Sequence, residues 1–146
     1  DVSSHAVEFA RRNAELNGLL DIVKFECHNA FDILPQWSKE GRKFDVVILD
    51  PPAFTKSRDA VQGATRGYKE INLRGMRMVR PGGFLVTASC SHFMNAELFK
   101  ATIADAARDA RRTLRQVEFR TQAPDHPILW TSDESFYLKF YIFQVV

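Results

Sequence analysis

Apolar positions recur at helical spacing along the first residues of the chain. Ala6, Val7, Ala10 and Ala14, with Phe9 and Leu16 beside them, run up to the helix-stopping pair Asn17-Gly18 and predict a first helix after Asp1-Val2-Ser3-Ser4. Ile22 to Cys27 is a short run rich in β-formers and predicts a strand. Phe31 to Trp37 predicts a brief helix capped by Asn29 and disturbed near its end by Pro35. Phe44-Asp45-Val46-Val47-Ile48-Leu49 is nearly continuous in apolar residues, the pattern of a strand covered on both faces. It must stop at Asp50-Pro51-Pro52, because neither proline can donate to a ladder. Residues 53–67 are polar and contain glycine, which predicts a surface loop.

From Tyr68, the positions Ile71, Leu73, Met76, Met78 and Val79 predict a second long helix closed by Pro81-Gly82-Gly83. Phe84 to Ala88 then predicts a buried strand ending in Ser89-Cys90-Ser91-His92. An alanine-rich helix over Leu98 to Ala110, a strand over Leu114 to Arg120, a turn over Ala123 to Ile128 and a last strand over Phe136 to Val146 complete the chain. Lys139 interrupts the apolar run of that last strand.

This alternation implies an α/β fold: a mostly parallel sheet with an antiparallel C-terminal strand and helices on both faces. In open sheets of this kind ligands bind beyond the carboxyl ends of the strands. Four places therefore invite chemistry: Asp1, Asn29, Asp50 and Ser89-Cys90-Ser91.

Composition narrows the reading. With 146 residues the chain has room for one core and no more, and 45% apolar with 26% charged residues is ordinary for a globular domain. Twenty Lys and Arg against 18 Asp and Glu leave a formal charge of +2, so any grip on nucleic acid must be local. Two cysteines form no disulfide framework, and no His/Cys spacing resembles a metal site, which makes a reducing, cytoplasmic setting the expectation. No apolar run approaches the ~20 residues of a membrane span, so no membrane partner is expected.

Taken in order, the strand ends and several short motifs resemble class I S-adenosylmethionine-dependent methyltransferases. The resemblance is closest to the PUA-domain-containing cytosine-5 methyltransferases of large-subunit ribosomal RNA. It rests on Asp1-Val2-Ser3 with Asn13-Ala14-Glu15-Leu16-Asn17-Gly18, Asp50-Pro51-Pro52-Ala53-Phe54, Gly67-Tyr68-Lys69-Glu70-Ile71-Asn72, Pro81-Gly82-Gly83, Ser89-Cys90-Ser91-His92, Asp125-His126-Pro127 and Tyr137-Leu138-Lys139. Each is weak alone; in this order they are specific.

The resemblance implies a Rossmann-like methyltransferase sheet, S-adenosyl-L-methionine as cofactor and RNA as partner. It places Asp1 on the ribose hydroxyls, where a carboxylate can accept two charge-assisted hydrogen bonds; a helix cap is the lesser alternative, and one residue can serve as both. It places Asn29, with Ala30, at the adenine, where relatives usually carry Asp; its amide oxygen still offers an acceptor, and a cap or turn role is an equal alternative. Asp50 and Pro51 fall at the methionine end, and Asp50 also faces the base. Pro52 and Phe54 offer flat apolar surface for stacking, with Lys56 and His92 as further substrate contacts; His126 either lines the site as another such contact or stabilises a turn.

Cys90 sets the expected reaction. Carbon 5 of cytosine is a poor nucleophile, and addition of a thiolate to carbon 6 makes the ring an enamine able to accept a methyl group. His92, Lys56 and the amides of the following helix are candidates to favour the thiolate. Cys27 lacks such neighbours and reads as a small buried hydrophobe. Lys56, Arg58, Arg66 and Lys69 could meet phosphates, whereas Arg108, Arg111, Arg112 and Arg115 read as a solvated helix end. Two other readings stay open: an exocyclic-amine methyltransferase, since Asp-Pro-Pro with an aromatic two residues on is close to the loop of such enzymes, and a non-catalytic binding module on the same fold.

The family's first strand and glycine-rich turn are not in this sequence, so residues 1–146 are expected to be part of a methyltransferase domain, inactive alone and weak in cofactor binding. The expected consequence is an open edge on the strand of Phe44 to Leu49, which would pair with another chain or with Ile22 to Cys27, or make the fragment self-associate.

Overall fold

A computed structural model describes residues 1–55, 57 and 59–146. Lys56 and Arg58 lie outside the described residues. Helices α1 (Ser4–Leu16) and α2 (Ala30–Lys39) precede strand β1 (Phe44–Leu49); then come α3 (Val61–Met78), β2 (Val79–Ser89), α4 (Ala96–Ala110), β3 (Leu114–Arg120), a 3-10 turn (Asp133–Ser135) and β4 (Lys139–Val145). Three helices begin on a side-chain cap: Ser3 Oγ accepts from the Ala6 amide at 3.2 Å, Asn29 Oδ1 from Phe31 at 3.0 Å and Asn95 Oδ1 from Leu98 at 2.9 Å.

The sheet order is β1-β2-β4-β3. β1 pairs parallel with β2, and β4 pairs antiparallel with both β2 and β3, so three strands run one way and the C-terminal strand runs the other. This is the mixed α/β sheet expected from the sequence. Because β4 is reversed, its first residue, Lys139, stands beside Ser89 at the same pole as the carboxyl ends of β1, β2 and β3.

α2, α3 and α4 form one layer, in which α3 packs on β1 and β2. Tyr68, Met76, Met78, Leu85, Phe99, Ile103 and Val145 make its core. Gly75 brings α3 down onto β1: a methyl there would sit 2.8 Å from the Leu49 side chain.

Several expectations are corrected. Ile22 to Cys27 forms no strand; among the described residues its end meets the first residue, with the Asp1 amino group donating to the Glu26 carbonyl at 3.2 Å and, just beyond, the His28 amide to the Asp1 carbonyl at 2.8 Å. A strand needs a neighbour along its length, and this segment has one residue. It therefore does not cover the edge of β1, and α1, carried by the same segment, is not brought against the sheet. Only Ala14 of α1 is buried, so the helices do not cover both faces. β1 is accordingly an edge strand with Val46 and Ile48 exposed, not one covered on both faces. Residues 61–67 are helix and not loop. Pro81-Gly82-Gly83 lies inside β2 as a bulge, where the register jumps from Phe44–Val79 to Val46–Phe84. Cys27 is exposed, its thiol donating to the Val2 carbonyl at 3.5 Å.

Candidate active site

The β1–β2 register puts Leu49 level with Thr87, hence Asp50 level with Ala88 and Cys90 two residues further along the neighbouring strand. Strand spacing and rise then separate the two Cα atoms by about 8 Å. Both residues are exposed, at the tips of adjacent strands.

Buried hydrogen bonds fix the two tips to one another. The Ser91 hydroxyl donates to the Thr55 carbonyl at 3.2 Å, joining the turn after β2 to the loop after β1. Ser89 Oγ bonds to the Tyr68 hydroxyl at 3.0 Å, joining the same turn to α3. Tyr68 is fully buried, and its hydroxyl is pushed above its ordinary range chiefly by burial, with Ser89 opposing the shift and the Cys90 and Asp50 charges adding to it. That both charges reach one phenol agrees with their shared pole.

From Tyr68 an aromatic ridge continues outward: Phe54 lies 4.7 Å from it, centroid to centroid, and Phe31 lies 5.5 Å from Phe54. Phe31 opens α2, so the ridge connects the Asp50-Pro51-Pro52-Ala53-Phe54 loop to Asn29 and Ala30. The His28 amide bond to the Asp1 carbonyl places Asp1 beside the same corner. One Asp1 carboxylate oxygen accepts the Ser3 amide at 2.8 Å, and no partner is seen for the other among the described residues. Asn29 spends its carbonyl oxygen on the α2 cap, so the amide NH2 is the group it has to offer.

His92 is exposed, its ring 3.8 Å from the Phe93 ring. His126 stands in the loop before β4, its ring 6.2 Å from Tyr137 and its imidazole 3.8 Å from the Asp125 carboxylate. Beside it a cleft of about 720 Å3, lined by Phe119, Thr121, Pro124, Leu138 and Phe140 among others, opens at the same pole. Helix α4 does not start at Cys90: the turn over residues 91–94 intervenes and Asn95 caps the helix, so its amides are not the thiol's immediate neighbours. Arg111 and Arg112 lie at the opposite pole with Lys39, Lys43, Arg74 and Arg77, around a separate cleft where α2, α3 and α4 end. Cations there face helix carboxyl ends, as dipole placement favours.

One residue at the site was given no role by the sequence. Lys139 is fully buried, and its ammonium donates to the Ser91 carbonyl at 2.5 Å and the Tyr137 carbonyl at 2.7 Å. The signal was present: a lysine breaks an otherwise apolar strand, and a buried lysine is costly unless it is held by acceptors. Among the described residues no group of three or more His, Cys, Asp and Glu is arranged to hold a metal, and no helix is long and apolar enough to cross a membrane.

The family described as "Methyltransferase domain" matches residues 1–137. Ribosomal RNA large subunit methyltransferase I of Aeromonas salmonicida is 46% identical over 140 residues, covering 95% of this chain and 35% of that protein. Its counterpart in Erwinia tasmaniensis is 43% identical over 148 residues, covering 100% of this chain and 37% of the relative. The chain thus spans about a third of the length of the curated relatives it matches. Among solved structures, SMU.776 complexed with SAH superposes with a TM-score of 0.79 at 16% identity over 99% of this chain and 37% of that one. An O-methyltransferase from Bacillus cereus in complex with SAH gives 0.62 at 16% identity, over 100% of this chain and 60% of that one. At such identities these likenesses establish the fold.

Proposed function

The chain belongs to the methyltransferase-domain family, and from that membership we propose that it is part of an S-adenosylmethionine-dependent RNA methyltransferase acting on carbon 5 of a cytosine in large-subunit ribosomal RNA. The relatives' names support the RNA substrate. The observation that carries the chemistry is the pairing of an exposed thiol, Cys90, with an exposed carboxylate, Asp50, on neighbouring strand tips held together through Ser91 and Thr55.

The donor set fits an adenosyl cofactor. Asp1 keeps a carboxylate oxygen for the ribose hydroxyls, Asn29 with Ala30 presents an amide to the adenine edge, and Asp50-Pro51 stands toward the methionine end. When bound, the cofactor supplies an electrophilic methyl group. The chain's residues do the rest. Cys90 Sγ adds to carbon 6 of the cytosine, forming the S–C6 bond, while Asp50 donates a proton to ring nitrogen 3 to take up the displaced electron pair. The resulting enamine accepts the methyl group at carbon 5. A base then takes the carbon 5 proton, the C5–H pair forms the C5=C6 double bond as the C6–S bond breaks and Cys90 leaves as thiolate, and ring nitrogen 3 returns its proton to Asp50. Pro52 and Phe54 offer apolar surface to the ring, His92 and His126 flank it, and a paired target must be flipped out to expose carbon 6. The open edge of β1, with Val46 and Ile48 exposed, is the surface through which the isolated chain self-associates.

Replacing Cys90 with Ala in the full-length protein tests the mechanism. Complete loss of methyl transfer with cofactor binding retained is expected; near-full activity would instead identify a methyltransferase of exocyclic amines, which needs no thiol.

A further inference from the structure

A lysine ammonium removed from water normally has a carboxylate beside it. Lys139 is fully buried, and among the described residues no carboxylate lies within ion-pair distance of it. Its two hydrogen-bond acceptors are backbone carbonyls, Ser91 at 2.5 Å and Tyr137 at 2.7 Å. Neutral acceptors satisfy donors; they do not neutralise a charge.

The place of the side chain in the sheet explains what does. Lys139 is paired in register with Ser89, so it lies directly against the Ser89-Cys90-Ser91 turn, and the carbonyl it holds most closely belongs to the residue after Cys90. That carbonyl also accepts the Met94 amide at 3.2 Å, which closes the turn. The Tyr68 phenol of α3, bonded to Ser89, stands on the same face of the sheet as Lys139, and the Asp50 carboxylate follows the tip of β1; from α4, Glu97 bears on Tyr141 of β4. Burial lowers the lysine to about 8, and the neighbouring Cys90 opposes that shift.

We propose that Lys139 is a positioning residue for Cys90: it clamps the turn by the Ser91 carbonyl and provides the counter-charge of the Cys90 thiolate. The proposal rests on the reading of Cys90 as nucleophile. It gives the site a built-in cation in place of the helix amides, which lie too far along the chain, and it accounts for a charged residue in an apolar strand. The pair is reciprocal, since whatever the ammonium does for the thiolate the thiolate does for the ammonium.

Reciprocity supplies a test that leaves the buried residue in place. In full-length protein labelled at lysine side-chain carbons, the NMR titration midpoint of Lys139 is expected to fall by at least half a pH unit in Cys90→Ser; an unmoved midpoint overturns the proposal. The second measurement is the rate at which iodoacetamide alkylates Cys90, followed by peptide mass spectrometry so that Cys27 is counted separately. At pH 7.5 Lys139→Met is expected to slow it at least fivefold and Lys139→Arg to restore part of the rate, whereas equal rates in all three proteins overturn the proposal. Should Lys139→Met fail to fold, the titration decides alone. Alkylation needs neither RNA nor cofactor, so the two readings fail separately. Unchanged alkylation with an inactive Cys90→Ala removes the role of the lysine and keeps the nucleophile; an active Cys90→Ala removes the nucleophile and with it the purpose given to Lys139.

Discussion

The hydroxyl of Ser91 donates to the carbonyl of Thr55 across the gap between two strand tips, and both residues are buried. This one bond makes the loop that carries Asp50 and the turn that carries Cys90 parts of a single body. Neither group has water to fall back on, so its loss is felt in full.

Ser91→Ala leaves the Thr55 carbonyl without that donor, and a destabilisation of about 1–2 kcal/mol is expected by chemical denaturation. Methyl transfer should fall tenfold or more with cofactor affinity nearly unchanged, because the two reacting groups lose their mutual register. Parent-like turnover in a destabilised variant would show that the loops are aligned by other contacts.

The approach of β1 to the bulge in β2 depends on Gly83. A methyl group on its Cα would stand 2.6 Å from the Asp45 carbonyl oxygen and 2.9 Å from Val79 Cγ1, and the first of these is backbone that cannot swing aside. Gly83→Ala is therefore expected to destabilise the fold by about 1–3 kcal/mol, measured as a lower urea midpoint at unchanged slope. An unchanged midpoint would mean that β1 yields at that point.

The buried lysine gives stability a pH dependence of known sign. Burial lowers Lys139 to about 8, below the 10.5 of an unfolded lysine. Below pH 8 both states hold the proton and the burial penalty is present in full. Between about 8 and 10.5 the unfolded state binds more protons than the native one, so this residue's contribution to stability improves as pH rises, by roughly 3 kcal/mol across the window. Thermal unfolding of the parent and Lys139→Met compared from pH 7 to 10 should show the parent gaining on the variant; parallel curves would mean that the ammonium is not desolvated.

The sequence carried the sheet further than the helices. β1 and β2 announce themselves by apolar runs, and Asp50 and Ser89-Cys90-Ser91 follow at their ends because prolines and small polar residues stop a ladder. α3 was legible only from Tyr68 onward, since its first turn from Val61 has no side-chain cap and reads as polar loop. Ile22 to Cys27 has the composition of a strand, yet a strand is a relation to a neighbour, which composition does not report. For the candidate site, residue types nominate Asp1, Asn29, Asp50 and Cys90. The contacts that align them, Ser91 with Thr55 and Tyr68 with Ser89, join residues 36 and 21 positions apart and leave no local trace. Lys139 left one in its break of an apolar run, but which atoms it would meet depended on β4 being reversed.

Trapping the adduct tests the central claim most directly. Full-length protein incubated with S-adenosylmethionine and substrate RNA carrying 5-fluorocytosine at the target should form a complex that survives denaturing electrophoresis, because fluorine cannot leave carbon 5 as a proton does, and digestion should map the linkage to Cys90. Efficient methylation of the unsubstituted RNA with no stable complex on the fluorinated one, or a linkage at any other residue, would contradict the account.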